Sequence, residues 1–441
     1  MIHYLKIRNF GPIKDEVEIS FEVADGIEKD AYEIEMHDGR RLLKLAYIYG
    51  ANASGKTTIL NAFAFLKKLL LEPLTTKDEE LDFDPFLFCE APLDINSFFE
   101  LSFYSNSIRY VYEVTFNKQA IIQEKLNFYR RPKPALLFSR ETDMEKLLTK
   151  IQFGSTIKAP AREKDLLESN TLHNNSVLGA FTKTNVDINE LSKLKKWAND
   201  TFANDAKFGI NAANSNAIRI NTDKKFKVWM NDFMNRADSQ ILSIHVPNLQ
   251  NQAKKILNAN SILPTLALSL KMSLSKMAKD LRNTIIDNSE IEIDFIHQTS
   301  QGRQYKLSLQ KESSGTQKYF NLGGELYDLI YGNHFKWIDE LESSLHPDLM
   351  KYFLQMFLLN SNGSQLLITT HNLSLMADTD FIRWDALWFS EKSVDGEVTL
   401  YSAADFDTST LRKDASLINA YKAGRLGAKP NLGSPYLPNN P

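Results

Sequence analysis

Apolar and polar residues alternate in several parts of the first 130 residues, and this period of two predicts β-strands. The earliest runs are Leu5–Phe10, which ends at a Gly-Pro turn, and Val17–Phe21. Three more runs follow closely on one another at Phe99–Phe103, Tyr110–Phe116 and Lys125–Tyr129. Consecutive alternating runs of this kind favour an antiparallel meander.

Two other patterns are continuous or helical. Leu43–Tyr49 is almost wholly apolar, which predicts a buried strand, and Thr58–Leu66 carries apolar residues at helical spacing. Residues 140–290 are rich in Asn and Lys and are mostly helical where they show a pattern. After Pro264 an apolar stripe recurs at steps of three and four residues. Its members are Leu266, Leu270, Leu274, Met277, Leu281 and Ile285. This helix either packs on its own domain or serves as an arm for self-association or partner docking.

The bulk composition is that of a globular protein of two or three domains. The 441 residues are 43% hydrophobic and 24% charged, with mean hydropathy −0.32. No apolar run approaches the ~20 residues that a membrane span requires, so we expect no membrane partner. The single cysteine, Cys89, excludes a disulfide framework, and the first residues lack a signal-peptide pattern. We therefore expect a cytoplasmic protein. A net charge of −3 argues against a chain dominated by nucleic-acid binding.

The stretch from Gly50 to Thr57 fits G-x-x-x-x-G-K-[ST], the P-loop that surrounds nucleotide phosphates with backbone N–H groups. It lies between the predicted buried strand and the predicted helix, as a P-loop requires. Lys56 is placed to reach the β- and γ-phosphate oxygens, and the Thr57 hydroxyl to bind Mg²⁺. The predicted nucleotide-binding residues are Gly50, Asn52, Ala53, Ser54, Gly55, Lys56, Thr57 and Thr58. The sequence predicts that the chain binds ATP together with Mg²⁺.

Three later elements complete a nucleotide site. Ser313, Ser314 and Gly315 precede a helical run, and free N–H groups at a helix start favour an anion. Asp339 and Glu340 end a short hydrophobic strand; these carboxylates suit a Mg²⁺-linked Asp339 and a general base, Glu340. A second buried strand, Ser364–Thr370, leads to His371, which is placed to sense the γ-phosphate. Read singly, the Ser-Ser-Gly stretch also fits a helix cap, the Asp-Glu pair also fits a solvated turn, and His371 also fits a structural histidine.

Together and in this order, the four elements resemble the ABC-type ATPases of the Rad50/SMC/RecF/OLD group. The chain is more similar still to the stand-alone AAA-type ATPases of bacterial abortive-infection and phage-defence systems, which are the RloA and AbiLi-like proteins and the ATPase subunit of PARIS. The resemblance covers Ile7–Phe10, Gly50–Thr58, Glu312–Thr316, Ile338–Pro347 and Gln365–Asn372. Its most specific part is the ending Tyr421–Pro430, with its Tyr, Gly-Arg, Gly-Ala and Pro.

The resemblance implies roles for particular residues. Ser313, Ser314 and Gly315 would be the signature motif that contacts the γ-phosphate held by a partner protomer. Ser343, Ser344 and His346 would lie in the D-loop, and His371 would be the switch histidine. It further implies a head-to-tail dimer, or an assembly of dimers, in which each ATP lies between Lys56 of one protomer and Ser314 and Gly315 of the other. The signature departs from the common Leu-Ser-Gly-Gly-Gln, and the Q-loop residue stays open between Gln119 and Gln123.

The fold class predicted on this basis is α/β: an ABC-type P-loop NTPase head with a mixed sheet, flanking helices and an antiparallel β subdomain. We expect residues 1–138 to form an N-terminal ATPase lobe with the P-loop and the meander. Residues 139–296 are expected to form a mainly helical insertion and residues 297–430 a C-terminal ATPase lobe. Residues 431–441 would be a tail. The P-loop strand and the strand before Asp339 should share one sheet.

Several functions remain in competition. The leading hypothesis is an ATPase that senses phage infection and controls a separately encoded effector, a nuclease being the favoured kind. The first alternative is a RecF- or Rad50-like DNA-repair ATPase, with DNA as its partner; the second is a self-contained nuclease-ATPase. About 260 residues separate the P-loop from the signature, too few for very long coiled-coil arms. Only 70 residues follow His371, too few for a fused Toprim nuclease, so Asp405-Phe406-Asp407 is interpreted as a solvated turn.

Overall fold

The computed structural model describes residues 1–24, 30–202, 210–247, 291–378, 381–406 and 417–430. The apolar stripe predicted after Pro264, the predicted tail 431–441 and Asp407 lie outside the described residues. Among the helices within the described ranges, none is long and apolar enough to cross a membrane.

The secondary structure alternates strand-rich and helical stretches. In chain order the strands are β1 (Ile2–Arg8), β2 (Val17–Ser20), β3 (Glu33–Glu35), β4 (Arg41–Leu43), β5 (Leu45–Tyr49), β6 (Ser97–Ser105), β7 (Ile108–Phe116), β8 (Ile121–Tyr129), β9 (Ala135–Asp143), β10 (Leu148–Phe153), β11 (Ile241–His245), β12 (Asp294–Gln298), β13 (Gln304–Ser308), β14 (Phe335–Ile338), β15 (Gln365–Thr370), β16 (Leu387–Lys392) and β17 (Val398–Ser402). The helices are α1 (Lys56–Leu71), α2 (Ala161–Asn170), α3 (Val177–Lys183), α4 (Asn189–Thr201), α5 (Ile210–Thr222), α6 (Lys224–Ala237), α7 (Ser314–Tyr331), α8 (Pro347–Asn360) and α9 (Leu417–Lys422).

Contacts divide the chain into two compact units. The first comprises Met1–Asp205, Gly332–Leu341 and Leu358–Pro441, and the second comprises Ala206–Tyr331 and Glu342–Phe357. The three-part division predicted from the sequence stays a prediction.

A five-stranded sheet forms the centre of the first unit, in the order β14-β15-β5-β16-β17. The first four strands are parallel to their neighbours, and β17 is antiparallel to β16. β5 lies in the middle and all five of its residues are buried, which explains its unbroken apolar sequence. The P-loop strand and the strand before Asp339 therefore share one sheet, as predicted, and the α/β fold class is confirmed.

The second sheet of this unit is antiparallel, with the order β10-β9-β8-β7-β6-β1-β2. The predicted meander is present as β6, β7 and β8, but the sheet continues through β9 and β10 to Phe153. This extension crosses residue 138, the predicted end of the N-terminal lobe. β9 and β10 were missed because charged residues such as Arg140 and Glu141 interrupt their apolar pattern. Arg140 is nevertheless buried, and its guanidinium donates to the backbone oxygens of Ile121 and His173.

Helix α1 joins the two sheets through apolar contacts on opposite sides. The ring centroids of Phe63 and Phe335 in β14 lie 4.7 Å apart, and those of Phe65 and Phe116 in β7 lie 5.1 Å apart. The buried side chain of Gln365 adds a polar link. Its amide nitrogen donates to Ile2 O, and its amide oxygen accepts from Ile2 N at 2.6 Å. The first strand of one sheet is thus bonded to the first residue of β15 in the other.

In the second unit, β11, β12 and β13 form an antiparallel sheet, and helices α5, α6 and α7 pack together. Two glycines of α7 permit this close packing. A Cβ at Gly323 would lie 2.6 Å from Met230 Sδ, and one at Gly324 would lie 2.0 Å from Asn216 Oδ1. Asn216 in turn donates from Nδ2 to Phe320 O at 2.9 Å. The helix that begins at the predicted signature motif is therefore fixed within its own unit.

Candidate nucleotide site

The predicted P-loop connects the end of β5 to the start of α1. A side chain at Gly50 is excluded, because a Cβ there would lie 2.4 Å from Ser390 O. Gly55 has φ 98°, and its Cβ would lie 2.6 Å from Val398 Cγ2. Both glycines of the motif are thus required by the space around the loop. Between them, Asn52 and Ala53 are exposed and accessible to a ligand.

Lys56 closes the loop on itself. The residue is only 5% exposed, and its Nζ donates to the backbone oxygens of Gly50 at 3.0 Å and Ala51 at 2.8 Å. The ammonium therefore lies within the curve of the P-loop. Close by, Ser54 Oγ is buried and has no hydrogen-bond partner in the described part of the chain. The backbone oxygen of Ser54 accepts a bond from Ser390 Oγ at 2.6 Å, which ties the loop to β16.

The two predicted carboxylates lie beside the start of α1. Thr57 Oγ1 donates to Asp339 Oδ2 at 2.8 Å. Thr369, at the end of β15, donates from its hydroxyl to Asp339 Oδ1 and accepts from Glu340 N at 2.8 Å. One threonine therefore orients both residues of the Asp-Glu pair. Glu340 has φ 47°, a left-handed conformation that is rare for a residue with a side chain.

His371 follows β15 directly and faces Glu340. Its Nε2 lies 3.8 Å from Glu340 Oε1, close enough for an ion pair but longer than a hydrogen bond. The side chain of Glu340 is 58% exposed and that of His371 is 32% exposed. Both groups can therefore reach a water molecule or a ligand.

The sheet order explains why residues so distant in sequence meet. β14, β15 and β5 are adjacent and parallel, so their carboxyl ends lie along one edge of the sheet. Those ends carry the Asp-Glu pair, His371 and the P-loop, respectively. Ligands bind at this edge in open α/β sheets. The structure thus brings together Lys56, Thr57, Asp339, Glu340 and His371.

A cavity of about 980 Å³ opens on the P-loop. It is lined by residues 49–54, by His371 and Leu373, by residues 390–394, and by Tyr421, Lys422 and residues 428–430. Pockets for small molecules measure about 300–1,000 Å³, so this cavity can hold a nucleotide. Burial raises the pKa of Tyr421 above its usual value, and burial with the nearby Glu391 carboxylate does so for Tyr401. Both hydroxyls therefore stay neutral donors at neutral pH.

The predicted signature residues Ser313, Ser314 and Gly315 belong to the second unit. Ser313 and Ser314 are exposed, α7 begins at Ser314, and Ser313 Oγ accepts from Thr316 N at 3.1 Å. The preceding Glu312 is held by His297, whose Nε2 lies 2.6 Å from Glu312 Oε1.

The predicted D-loop lies beside the signature in the same unit. A Cβ at Gly315 would lie 2.9 Å from Ser344 O, and Ser344 has a left-handed φ of 62°. The signature glycine therefore packs directly against the D-loop backbone. His346 Nδ1 accepts from Asp348 N at 3.3 Å, at the start of α8.

A sequence comparison decides the family. The family described as "AAA domain, putative AbiEii toxin, Type IV TA system" matches residues 45–377. The chain belongs to this AAA family. The match spans the P-loop, the signature, the Asp-Glu pair and His371. It confirms the resemblance to ABC-type AAA ATPases of the abortive-infection kind.

Other comparisons are more distant. No curated protein matches this AAA-family chain. Among solved structures, it is similar to an SMC head domain from Thermotoga maritima, with 13% identity, a TM-score of 0.40, and coverage of 91% of this chain and 98% of that one. It is also similar to an SMC head bound to the C-winged helix domain of ScpA, with 11% identity, a TM-score of 0.43, and coverage of 91% and 97%.

Some features of the AAA-family site were not predicted. Thr369 lies in the predicted strand before His371, but its two bonds were not predicted. Its partners Asp339 and Glu340 lie 30 and 29 residues earlier in the sequence. The lining of the cavity by residues 428–430 was also missed, although the motif-like ending Tyr421–Pro430 was a signal. Of the two Q-loop candidates, Gln119 lies in the turn after β7 and Gln123 is exposed in β8. Neither is among the described residues that line the cavity.

Proposed function

We propose that this chain is a Mg²⁺-dependent ATPase that hydrolyses ATP to ADP and phosphate. The observation that carries the proposal is the hydrogen-bonded link from Thr57 through Asp339 and Thr369 to Glu340. It joins a phosphate-binding loop to a metal-binding carboxylate and to a candidate base. A glycine turn with a merely structural role would need none of these partners.

The residues present fit both ligands. Ser54 Oγ has no hydrogen-bond partner among the described residues, and it lies with the Lys56 ammonium in a loop where a side chain at either glycine would clash. Thr57 and Asp339 offer the oxygen ligands that Mg²⁺ prefers. Within the described ranges no group of three or more His, Cys, Asp or Glu side chains could hold a metal alone. This agrees with Mg²⁺ sites completed by substrate phosphates, where the ion neutralises charge on the phosphates.

The catalytic roles follow from position and exposure. Lys56 binds the β- and γ-phosphate oxygens in place of the backbone oxygens that it now contacts. Glu340 orients the attacking water and accepts its proton at the carboxylate, while Thr369 holds the Glu340 backbone. His371, which lines the cavity beside the P-loop, donates to the γ-phosphate. These steps transfer the terminal phosphoryl group to water and leave ADP.

Two substitutions test the proposal. Lys56→Ala should abolish ATP binding in a calorimetric titration, because the phosphates lose their main counter-charge. Glu340→Gln should keep ATP affinity within about threefold but lower the turnover about 100-fold or more, because an amide cannot act as a base. Glu141→Gln, which changes an exposed glutamate of β9, is the matched control and should hydrolyse ATP as the wild type does. Turnover of Glu340→Gln near that of the wild type would remove Glu340 from this role.

For the biological role, we propose that the ATPase senses phage infection and controls a separately encoded effector, a nuclease being the favoured kind. The family description, which names an AbiEii toxin, supports this proposal. The chain should co-elute with the product of a neighbouring nuclease-like gene in size-exclusion chromatography, with ATP and Glu340→Gln used to hold the ATP-bound state. Separate elution in every nucleotide state, together with tight binding to DNA, would instead favour the repair-type alternative.

A further inference from the structure

The C-terminal segment, residues 417–430, is the feature of the nucleotide cavity that no proposed catalytic role uses. Its residues Tyr421, Lys422 and 428–430 line the same cavity as the P-loop and His371. Residues 390–394 of the neighbouring wall add Lys392. Among the described residues that line this cavity there are thus three lysines and one carboxylate, that of Glu391.

The segment is held firmly at the sheet. The Tyr421 ring stacks on Phe389 with a centroid distance of 6.0 Å, and Phe389 pairs with Tyr49 at the end of the P-loop strand. Tyr421 also donates from its hydroxyl to Ala428 O at 3.0 Å, which closes the segment into a compact turn. The position of the lysines relative to the P-loop is therefore fixed by the same strand pair.

A close approach fixes the end of the turn as well. Gly427 has φ 62°, and a Cβ there would lie 2.3 Å from the Tyr401 hydroxyl. That hydroxyl contacts both Leu426 O at 2.9 Å and Glu391 Oε2 at 3.2 Å. The Glu391 carboxylate thus already has a neutral hydrogen-bond partner. With three lysines and one carboxylate, the described lining of the cavity carries a net positive charge.

The lysine side chains have donors to spare. Lys429 Nζ donates to Lys422 O at 2.7 Å, and an ammonium has three N–H donors, so two remain. The ammonium groups of Lys392 and Lys422 form no hydrogen bond or ion pair with the described residues. Lysine ammonium groups on the wall of a cavity that the P-loop also lines suit a polyanionic ligand.

We propose that the C-terminal segment forms a wall of the nucleotide site and that Lys422 and Lys429 bind the outermost phosphate of a nucleoside triphosphate. This inference rests on the proposed function. It assigns a ligand to a segment outside the residues matched by the family, and it makes the site favour a triphosphate over a diphosphate. Residues 417–430 would thereby contact the ligand only when the terminal phosphate is present.

The test measures binding of a non-hydrolysable ATP analogue and of ADP to the full chain by calorimetry. The double variant Lys422→Gln/Lys429→Gln should lose about tenfold or more in affinity for the triphosphate and less than about threefold for ADP. Lys422→Arg/Lys429→Arg, which keeps the charges, should bind the triphosphate with nearly the affinity of the wild type. The matched control is Arg425→Gln, because Arg425 is an exposed cation of the same segment that does not line the cavity.

The outcomes separate this inference from the proposed function. Unchanged triphosphate affinity in the double variant, or an equal loss in Arg425→Gln, overturns the inference while leaving the ATPase proposal intact. A wild-type chain that binds neither nucleotide overturns both. Melting curves of all variants should coincide, since the substituted side chains are exposed. A melting temperature lowered only in the double variant, with equal losses for both nucleotides, would assign the lysines a structural role and also overturn the inference.

Discussion

At the scale of single residues, the site depends on small polar side chains that hold larger charged ones. Thr369 is the clearest case, because its hydroxyl bonds Asp339 and accepts from the Glu340 backbone. A valine there would have nearly the same shape but would remove both of these bonds. Asp339 would then keep its bond from Thr57 but lose the one that links it to the Glu340 backbone.

Glu124 provides a prediction at this scale. The carboxylate is buried and accepts bonds from Tyr112 Oη at 3.0 Å and Val177 N at 3.0 Å. Burial raises its pKa from 4.5 to about 6, against the opposing effect of the Arg140 charge. The folded state thus binds this proton more tightly than the unfolded state. The resulting stabilisation is fully present below about pH 4.5 and is lost as the pH rises through about 6.

Glu124→Gln should remove this pH dependence, because the amide does not titrate. The unfolding free energy of the wild type, minus that of the variant, should fall by about 2 kcal/mol between pH 4.5 and pH 7. Urea denaturation of both proteins at a series of pH values measures the difference. A difference that stays constant across this interval would show that Glu124 is not the group responsible.

At the scale of elements, α1 both carries nucleotide-site residues and packs between two sheets. It begins at Lys56, and its apolar residues contact strands of both sheets. Phe63 and Phe65 are two residues apart and so project from opposite sides of the helix. Phe63 contacts Phe335, whereas Phe65 contacts Phe99 and Phe116. Both sheets therefore fix the helix whose first turn carries Lys56 and Thr57.

Phe65→Ala should lower the unfolding free energy by about 3–5 kcal/mol, because it leaves a cavity between α1 and the antiparallel sheet. Phe88→Ala is the matched control, as Phe88 is 70% exposed, and it should change stability by less than about 0.5 kcal/mol. Urea midpoints for the two variants give the comparison. Equal midpoints would mean that the Phe65 cluster does not stabilise the fold.

How far the sequence predicts these elements depends on where their partners lie. The P-loop, Asp339, Glu340 and His371 were predicted because each follows a buried strand and its chemistry requires one residue type. The meander was predicted because alternation is a local signal. The role of Thr369 depends on contacts between strands that only the sheet order reveals. The same holds for the place of residues 428–430 in the cavity wall, since no local pattern encodes it.

At the scale of the whole molecule, the predicted signature lies in the second unit and the P-loop in the first. The proposed head-to-tail dimer would pair the P-loop of one protomer with Ser314 and Gly315 of the other. Such a contact is two-fold symmetric and self-complementary, so it closes on itself. ATP should strengthen the dimer, because the ligand would contact both protomers.

A mixing experiment tests this assembly. Lys56→Ala and Ser314→Arg should each be inactive alone, but a mixed dimer keeps one intact site because both lesions fall on the same interface. An equal mixture should regain about a quarter of the wild-type ATPase rate if protomers exchange freely. A mixture of Lys56→Ala with the Lys56→Ala/Ser314→Arg double variant is the control and should stay inactive. An inactive first mixture, despite proven mixed dimers, would contradict the shared site.

The central place of β5 in its sheet has a consequence for the order in which the protein matures on the ribosome. β5 is made early, but both of its neighbours, β15 and β16, follow more than 300 residues later. A nascent chain that ends before β14 has a complete P-loop, but β5 lacks both of its neighbouring strands. Such a chain also lacks Asp339, Glu340 and His371. Long-range pairing of this kind is slow and comes late in folding. A chain that ends before β14 therefore lacks the residues to which the proposed ATP hydrolysis is assigned, and the complete site requires the residues up to His371.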